Sequence, residues 1–271
     1  MAIEPSYASS YNRIASLTLL TDEVLWELTN KKSSQKILSL SSLVRNRSYS
    51  CIADKVANVK SPPSYSVEQI VSMKPDLVLA ANFNRPSLLK FLKQSSIPFE
   101  LFKSSGSFSD LWRNISRLGE IIDEKKQAIK MIAGLKRRIS VIKNPKQPQK
   151  LVSYSSELFF PGKNSSFSQI AKAAKHRNVI DEYSKDGSWV RLSSESLLTI
   201  PIDFIVVGIR PNATKKQMIA EISGHESWKN LPAVRDKKFL FISNAYLLSL
   251  SHCMVDAVEL LSREVYEQLP R

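Results

Sequence analysis

Two segments of the chain repeat one pattern, and the repeat restricts the fold to one with two matching halves. The first runs Ser66-Val-Glu68-Gln-Ile-Val-Ser-Met-Lys-Pro-Asp76-Leu-Val-Leu-Ala80. The second runs Ser193-Ser-Glu195-Ser-Leu-Leu-Thr-Ile-Pro-Ile-Asp203-Phe-Ile-Val-Val207, with both Glu68 to Glu195 and Asp76 to Asp203 spanning 127 positions. Each copy predicts a short helix behind a serine cap, a proline-containing turn, and then a continuously apolar strand of the kind buried in a parallel sheet. Further strands are predicted over 13–19, 99–102, 151–154 and 239–242, with helices over 22–29, 86–94, 167–174 and 255–268 between them. Strands alternating with helices imply parallel sheets. The expected fold is α/β: two three-layer lobes with mainly parallel sheets, joined by one long connecting helix.

That helix is predicted from Asp123 to Lys143. Ala128, Ile132, Leu135, Ile139 and Ile142 recur every three or four positions, the period of one helical face. Asp123 and Glu124 open it, Lys136, Arg137, Arg138 and Lys143 close it, and Asn144-Pro145 stops it, a polarity that suits the helix dipole. The expected boundaries are an N-terminal lobe over 1–122, a connecting helix over 123–145 and a C-terminal lobe over 146–271. Of the net charge of +14, the stretch 123–150 holds +7, from nine basic and two acidic residues. A basic helix raises the question of nucleic acid, but this stretch contains no aromatic side chain to stack on bases. The charge is read as the solvated face of a strut, and no nucleic-acid partner is expected.

Other chemistries are excluded by scarcity. The chain has seven glycines, no two closer than 13 positions, so neither dinucleotide-binding nor phosphate-cradling glycine loops can be written. Cys51 and Cys253 lack zinc or thioredoxin spacing, and their positions leave open whether they pair. No GxSxG elbow, HExxH or paired catalytic carboxylates occur, so no catalytic residues are assigned and the protein is not expected to be an enzyme. His176, His225 and His252 are scattered, which leaves few ligands for a metal site within the protein. No apolar run is long enough to span a bilayer. The stretch Met1–Tyr11 has neither the basic start nor the apolar centre of a secretory leader.

The glutamates at matching places have two readings. Acidic residues in a helix's first turn complement its dipole. Matched residues on related lobes also present matching surfaces, which a two-fold partner could grip.

With these motifs in order, the chain resembles a known family. Arg13-Ile-Ala-Ser-Leu-Thr-Leu-Leu-Thr-Asp-Glu23, Val67 to Ala80, Ser107-Phe-Ser-Asp-Leu-Trp112, Trp189-Val-Arg-Leu-Ser-Ser-Glu195 and Trp228-Lys-Asn-Leu-Pro-Ala-Val-Arg-Asp-Lys-Lys-Phe-Leu-Phe-Ile242 are similar to segments of the substrate-binding proteins of cobalamin and ferric-siderophore ABC importers. The resemblance implies a periplasmic or lipid-anchored receptor whose leader is missing from this sequence. It further implies a monomer with no cofactor of its own, holding a metal chelate (corrinoid, ferric siderophore or haem) in a cleft between lobes joined by a rigid helix. Glu68 and Glu195 fall at the positions that dock into a dimeric permease. In the cobalamin-binding branch a tryptophan six residues before the distal docking glutamate lines the cleft, as Trp189 stands to Glu195. Lys175-His176 replaces the family's usual glycine pair, and Ala81 and Pro62 stand nearest to where further cobalamin-cleft tryptophans occur. A receptor for bare zinc or manganese on a related scaffold is the alternative.

Ligands of α/β proteins bind beyond the C-terminal ends of the strands. Asn82, Phe83 and Arg85 follow the strand ending at Ala80, and Arg210 follows that ending at Val207. Phe159, Phe160 and Lys163 follow the strand over 151–154, and Tyr246 follows that over 239–242. The expected ligand contacts are Trp189, Asn82, Phe83, Arg85, Phe160, Lys163, Arg210 and Tyr246, with aromatic rings stacking on a flat chelate and cations pairing with its anionic groups. Trp26 and Trp112 are expected in the core.

Overall fold

The structure, a computed structural model, describes residues 11–29, 34–62, 65–104, 106–185, 187 and 189–269. It divides into two units, the first built mainly from residues up to Gly134 and the second mainly from Leu135 onward.

In the first unit, strands β1 (Ile14–Ser16), β2 (Ile37–Ser39), β3 (Leu77–Ala81) and β4 (Phe99–Phe102) form a parallel sheet in the order β2-β1-β3-β4. Helices α1 (Leu19–Thr29), α2 (Val67–Met73), α3 (Pro86–Gln94) and α4 (Phe108–Ile121) accompany them. All five residues of β3 are buried, because a central strand of a parallel sheet covered on both faces meets no water. Ile70 of α2 and Leu88 and Leu92 of α3 pack on Val78 and Ala80.

The second unit contains β5 (Lys150–Ser153), β6 (Phe159–Phe160), β7 (Arg177–Asn178), β8 (Val190–Arg191), β9 (Phe204–Ile209) and β10 (Phe239–Ser243). Four of these form a parallel sheet in the order β10-β9-β5-β7, while β6 and β8 pair as a small antiparallel ladder. Numbered within its own unit, each parallel sheet runs second, first, third, fourth. The sequence repeat is therefore one visible part of a repeated topology. The strand order reverses beside each first strand, as in doubly wound α/β sheets.

Asp76 and Asp203 have the same task in the two sheets. The Asp76 carboxylate accepts the Asn12 and Arg13 amides at 2.7 and 2.9 Å, and its own amide donates to the Arg13 carbonyl at 3.1 Å. The Asp203 carboxylate accepts the Lys150 amide at 2.7 Å, and its amide donates to the Lys150 carbonyl at 2.9 Å. Each fastens the start of the third strand to the start of the first.

The helix expected over 123–143 forms as α5 (Lys125–Ser140), which begins just after α4 ends at Ile121. Its 16 residues span about 24 Å at 1.5 Å per residue. Asp123 takes φ +61°, and two hydrogen bonds close the end of α4, Asp123 N–H to Glu120 at 3.4 Å and Glu124 N–H to Gly119 at 2.7 Å. This is the Schellman arrangement, so Asp123 terminates a helix where its charge had suggested a start. A Cβ on Gly119 would lie 2.4 Å from that of Ala128; the turn between α4 and α5 is too tight for a side chain there. Near the end of α5, Arg138 makes a bidentate pair with Glu259 (2.7 and 2.6 Å) and reaches Asp256 at 2.6 Å. That cation is paired with a neighbouring helix, its side chain 36% exposed.

The remaining helices are α6 (Ser166–Ala173), α7 (Ser194–Thr199), α8 (Lys215–Gly224), α9 (Pro232–Arg235), α10 (Asn244–Leu247) and α11 (Cys253–Gln268). The predicted strand over 13–19 shortens to Ile14–Ser16 because Thr18 turns the chain into α1, its carbonyl accepting the Asp22 amide at 2.9 Å. Among the described residues, no helix is long and apolar enough to cross a membrane.

Candidate functional site

Glu68 and Glu195 occupy equivalent places. Ser66 caps α2, its hydroxyl accepting the Gln69 amide at 3.2 Å while the Gln69 side chain accepts the Ser66 amide at 3.0 Å. Ser193 caps α7 through the Ser196 amide at 3.1 Å. Each glutamate is thus the second residue of its helix, and both are exposed. The Ser66 hydroxyl and the residue's own amide hold the Glu68 carboxyl below its ordinary range, and Glu195 is held down by its own amide and then by Ser193. Both helices present an ionised carboxylate to solvent from a fixed first turn.

Asn82, Phe83 and Arg85 lie together in the loop after β3, all exposed. Asn84 shapes this loop, its Oδ1 accepting the Ala81 amide at 2.7 Å and its Nδ2 donating to the Leu17 carbonyl at 3.5 Å. The latter bond ties the end of β3 to the end of β1, where the strand order reverses. Phe83 is left 52 % exposed.

In the second unit the β6–β8 ladder pairs Phe159 with Arg191 and Phe160 with Val190. Neighbours on a strand face opposite sides, and here the two phenylalanines part company. Phe160, expected to touch ligand, is fully buried and packs on Trp228, ring centroids 5.9 Å apart. Phe159 turns outward and stacks on Trp189 at 5.1 Å with planes 24° apart. At 42 % and 52 % exposure, Phe159 and Trp189 form an uncovered aromatic shelf. The loop leading to Trp189 is held close to the 162–165 turn. Gly187 sits there with φ +80°, and a Cβ on it would fall 2.1 Å from the Asn164 amide nitrogen.

Residues outside the expected set support the shelf. Trp228 is fully buried and donates Nε1–H to the Ser155 carbonyl at 3.0 Å, with Tyr154 edge-on to it at 5.1 Å. His225 Nδ1 accepts the Ser227 amide at 3.2 Å, so Nε2 carries the proton and donates to the Ser156 carbonyl at 3.1 Å. Together they clamp the turn between β5 and β6. A buried tryptophan that needs a partner for its N–H was the available signal in the sequence.

Lys163 is exposed, and Tyr246 is half-buried on α10, just beyond β10. Arg210 is exposed after β9 but is drawn 3.6 Å from Glu221, which also accepts the Tyr154 hydroxyl at 3.2 Å. Burial and then the Glu221 charge push the Tyr154 hydroxyl up to about 12, so this chain keeps its proton. Of the histidines, His225 is committed to the backbone at both ring nitrogens, and His176 Nδ1 accepts the Gln149 amide at 3.1 Å. Trp26 is buried as expected, and Trp112 is half-buried.

Comparison with known proteins agrees with this architecture. An uncharacterized ABC transporter substrate-binding lipoprotein of Bacillus subtilis (strain 168), YvrC, is 22% identical over 273 residues, covering 89% of this chain and 82% of its own. A cobalamin-binding protein of Halobacterium salinarum is 21% identical over 223 residues, covering 79% of this chain; the match spans 59% of that relative's length. The crystal structure of the periplasmic heme-binding protein HutB of Vibrio cholerae superposes with a TM-score of 0.79 at 16% identity, covering 95% of this chain and 100% of that one. The sequence profile of the periplasmic binding proteins matches residues 14–246, and the chain belongs to that family.

Proposed function

We propose that the protein is an extracytoplasmic receptor that binds a metal chelate, a corrinoid, ferric siderophore or haem, and delivers it to an ABC importer. The observation that carries this reading is the exposed Phe159–Trp189 stack. Aromatic rings left in water gain most by receiving a flat, largely apolar ligand. The names of a cobalamin-binding relative and a heme-binding structural neighbour support the same ligand class. Asn82, Phe83, Arg85, Lys163, Arg210 and Tyr246 supply further contacts, with the cations meeting carboxylate or phosphate groups on the ligand. Capture is stoichiometric, without chemistry on the ligand and without a cofactor. Glu68 and Glu195 engage basic pockets on the two halves of the permease dimer, and the receptor acts as a monomer.

The test is native mass spectrometry of the full chain after incubation with cobalamin, haem and a ferric hydroxamate, followed by desalting. One chelate retained at a ratio of one to one is the expected result; retention of none contradicts the proposal.

A further inference from the structure

The second unit contains a groove of about 500 Å³ bordered by Lys150, Lys172, Lys175, His176 and Arg177. Lys150 opens β5 and Arg177 opens β7. The groove therefore lies at the N-terminal ends of the strands, at the opposite end of the sheet from Arg210 and Tyr246. Among the described residues, none of the four lysine and arginine side chains has an ion-pair partner. Of the two carboxylates beside them, Asp181 is occupied by the Ser168 hydroxyl and the Asn178 amide, both at 2.6 Å, which leaves Glu182. His176 is 6 % exposed. Its Nδ1 accepts the Gln149 amide at 3.1 Å, so its proton sits on Nε2, and the residue lines the groove.

Four cations around a concavity raise the local potential, and the His176 Nε2–H offers a directional contact to an oxyanion. Val179, Ile200 and Pro201 add an apolar wall. The volume falls within the range typical of small organic ligands, roughly 300–1,000 Å³. The geometry points to a second binding site here, for a small organic anion carrying a phosphate or several carboxylates, separate from the aromatic shelf and independent of the chelate assignment.

Isothermal titration of the full chain with citrate and with phenyl phosphate tests this, at an ionic strength of roughly 0.15 M to screen loose surface association. Saturable one-to-one binding of at least one probe is expected. Lys172→Glu combined with Arg177→Glu should weaken it about tenfold or more, since each reversal turns an attraction into a repulsion. The milder Lys172→Gln with Arg177→Gln should give an intermediate loss, and Trp189→Ala should give none. In NMR the His176 ring resonances should move during titration while those of His225 stay in place. Absence of saturable binding for both probes, or equal affinity in the charge-reversed variant, overturns the inference.

Discussion

The His176 amide closes on the Ala171 carbonyl at 2.9 Å because Lys175, between them, turns through φ +68°. Lys175 stands where relatives of this type are expected to carry glycine. The same device recurs at Lys237 (φ +53°), where the Lys238 amide reaches the Ala233 carbonyl at 2.8 Å. With seven glycines in the chain, lysines and an aspartate take left-handed helix-terminating positions that glycine fills more easily. A side chain there costs on the order of 1 kcal/mol, partly offset by the lysine charge at the C-terminus of the helix dipole. Lys175→Gly and Lys237→Gly are each expected to raise stability by about 0.5–1 kcal/mol, read as a higher midpoint in chemical denaturation. Lys175→Val should lower it.

Asp22 gives the first unit a pH dependence. It is fully buried, accepting the Ser41 amide and hydroxyl, and burial raises its carboxyl from 3.8 to about 7. The folded chain then holds a proton that the unfolded chain has released, so stability is greatest below pH 3.8 for this group and falls as pH rises towards 7. The loss amounts to on the order of 3–4 kcal/mol. Asp22→Asn, which cannot ionise, should flatten the stability profile over that interval when measured by denaturant midpoints.

The Asp76 carboxylate accepts two amides where that of Asp203 accepts one. Asp76→Ala should therefore cost about 2 kcal/mol and Asp203→Ala about 1 kcal/mol, with unfolding followed separately in each unit by local probes.

Much of this was legible in the sequence where local chemistry and burial agree. The apolar runs of β3 and β9, the serine caps before Glu68 and Glu195, and Pro86 opening α3 each point one way. The break at Asp123 was not legible, because an acidic residue between two helices can end the first or begin the second. The outcome here depends on the close approach of Gly119 to Ala128. The choice between Phe159 and Phe160 was likewise hidden. Adjacent residues on a strand face opposite ways, and the partner that buries Phe160 is Trp228, far along the chain. Strands of two or three residues, such as β2, β6 and β8, are too short to show a period at all.

Docking through matched carboxylates makes a separable prediction. Glu68→Ala and Glu195→Ala should each weaken association with the cognate permease in proteoliposomes by about 2 kcal/mol, while chelate binding by the receptor stays unchanged. Loss of chelate binding in either variant would show that the glutamate serves the ligand instead.

Receptor function itself is tested most directly by tryptophan fluorescence. Trp26 and Trp228 are buried, whereas Trp189 is 52 % exposed on the shelf with Phe159. Titration with cobalamin, haem and a ferric hydroxamate should produce saturable one-to-one quenching with one of them. Trp189→Ala should weaken that binding by about tenfold, or 1.4 kcal/mol. If none of the three alters the emission of the folded protein, or if the Trp189 and Phe159 variants bind as well as the unaltered chain, the chelate-receptor account is contradicted.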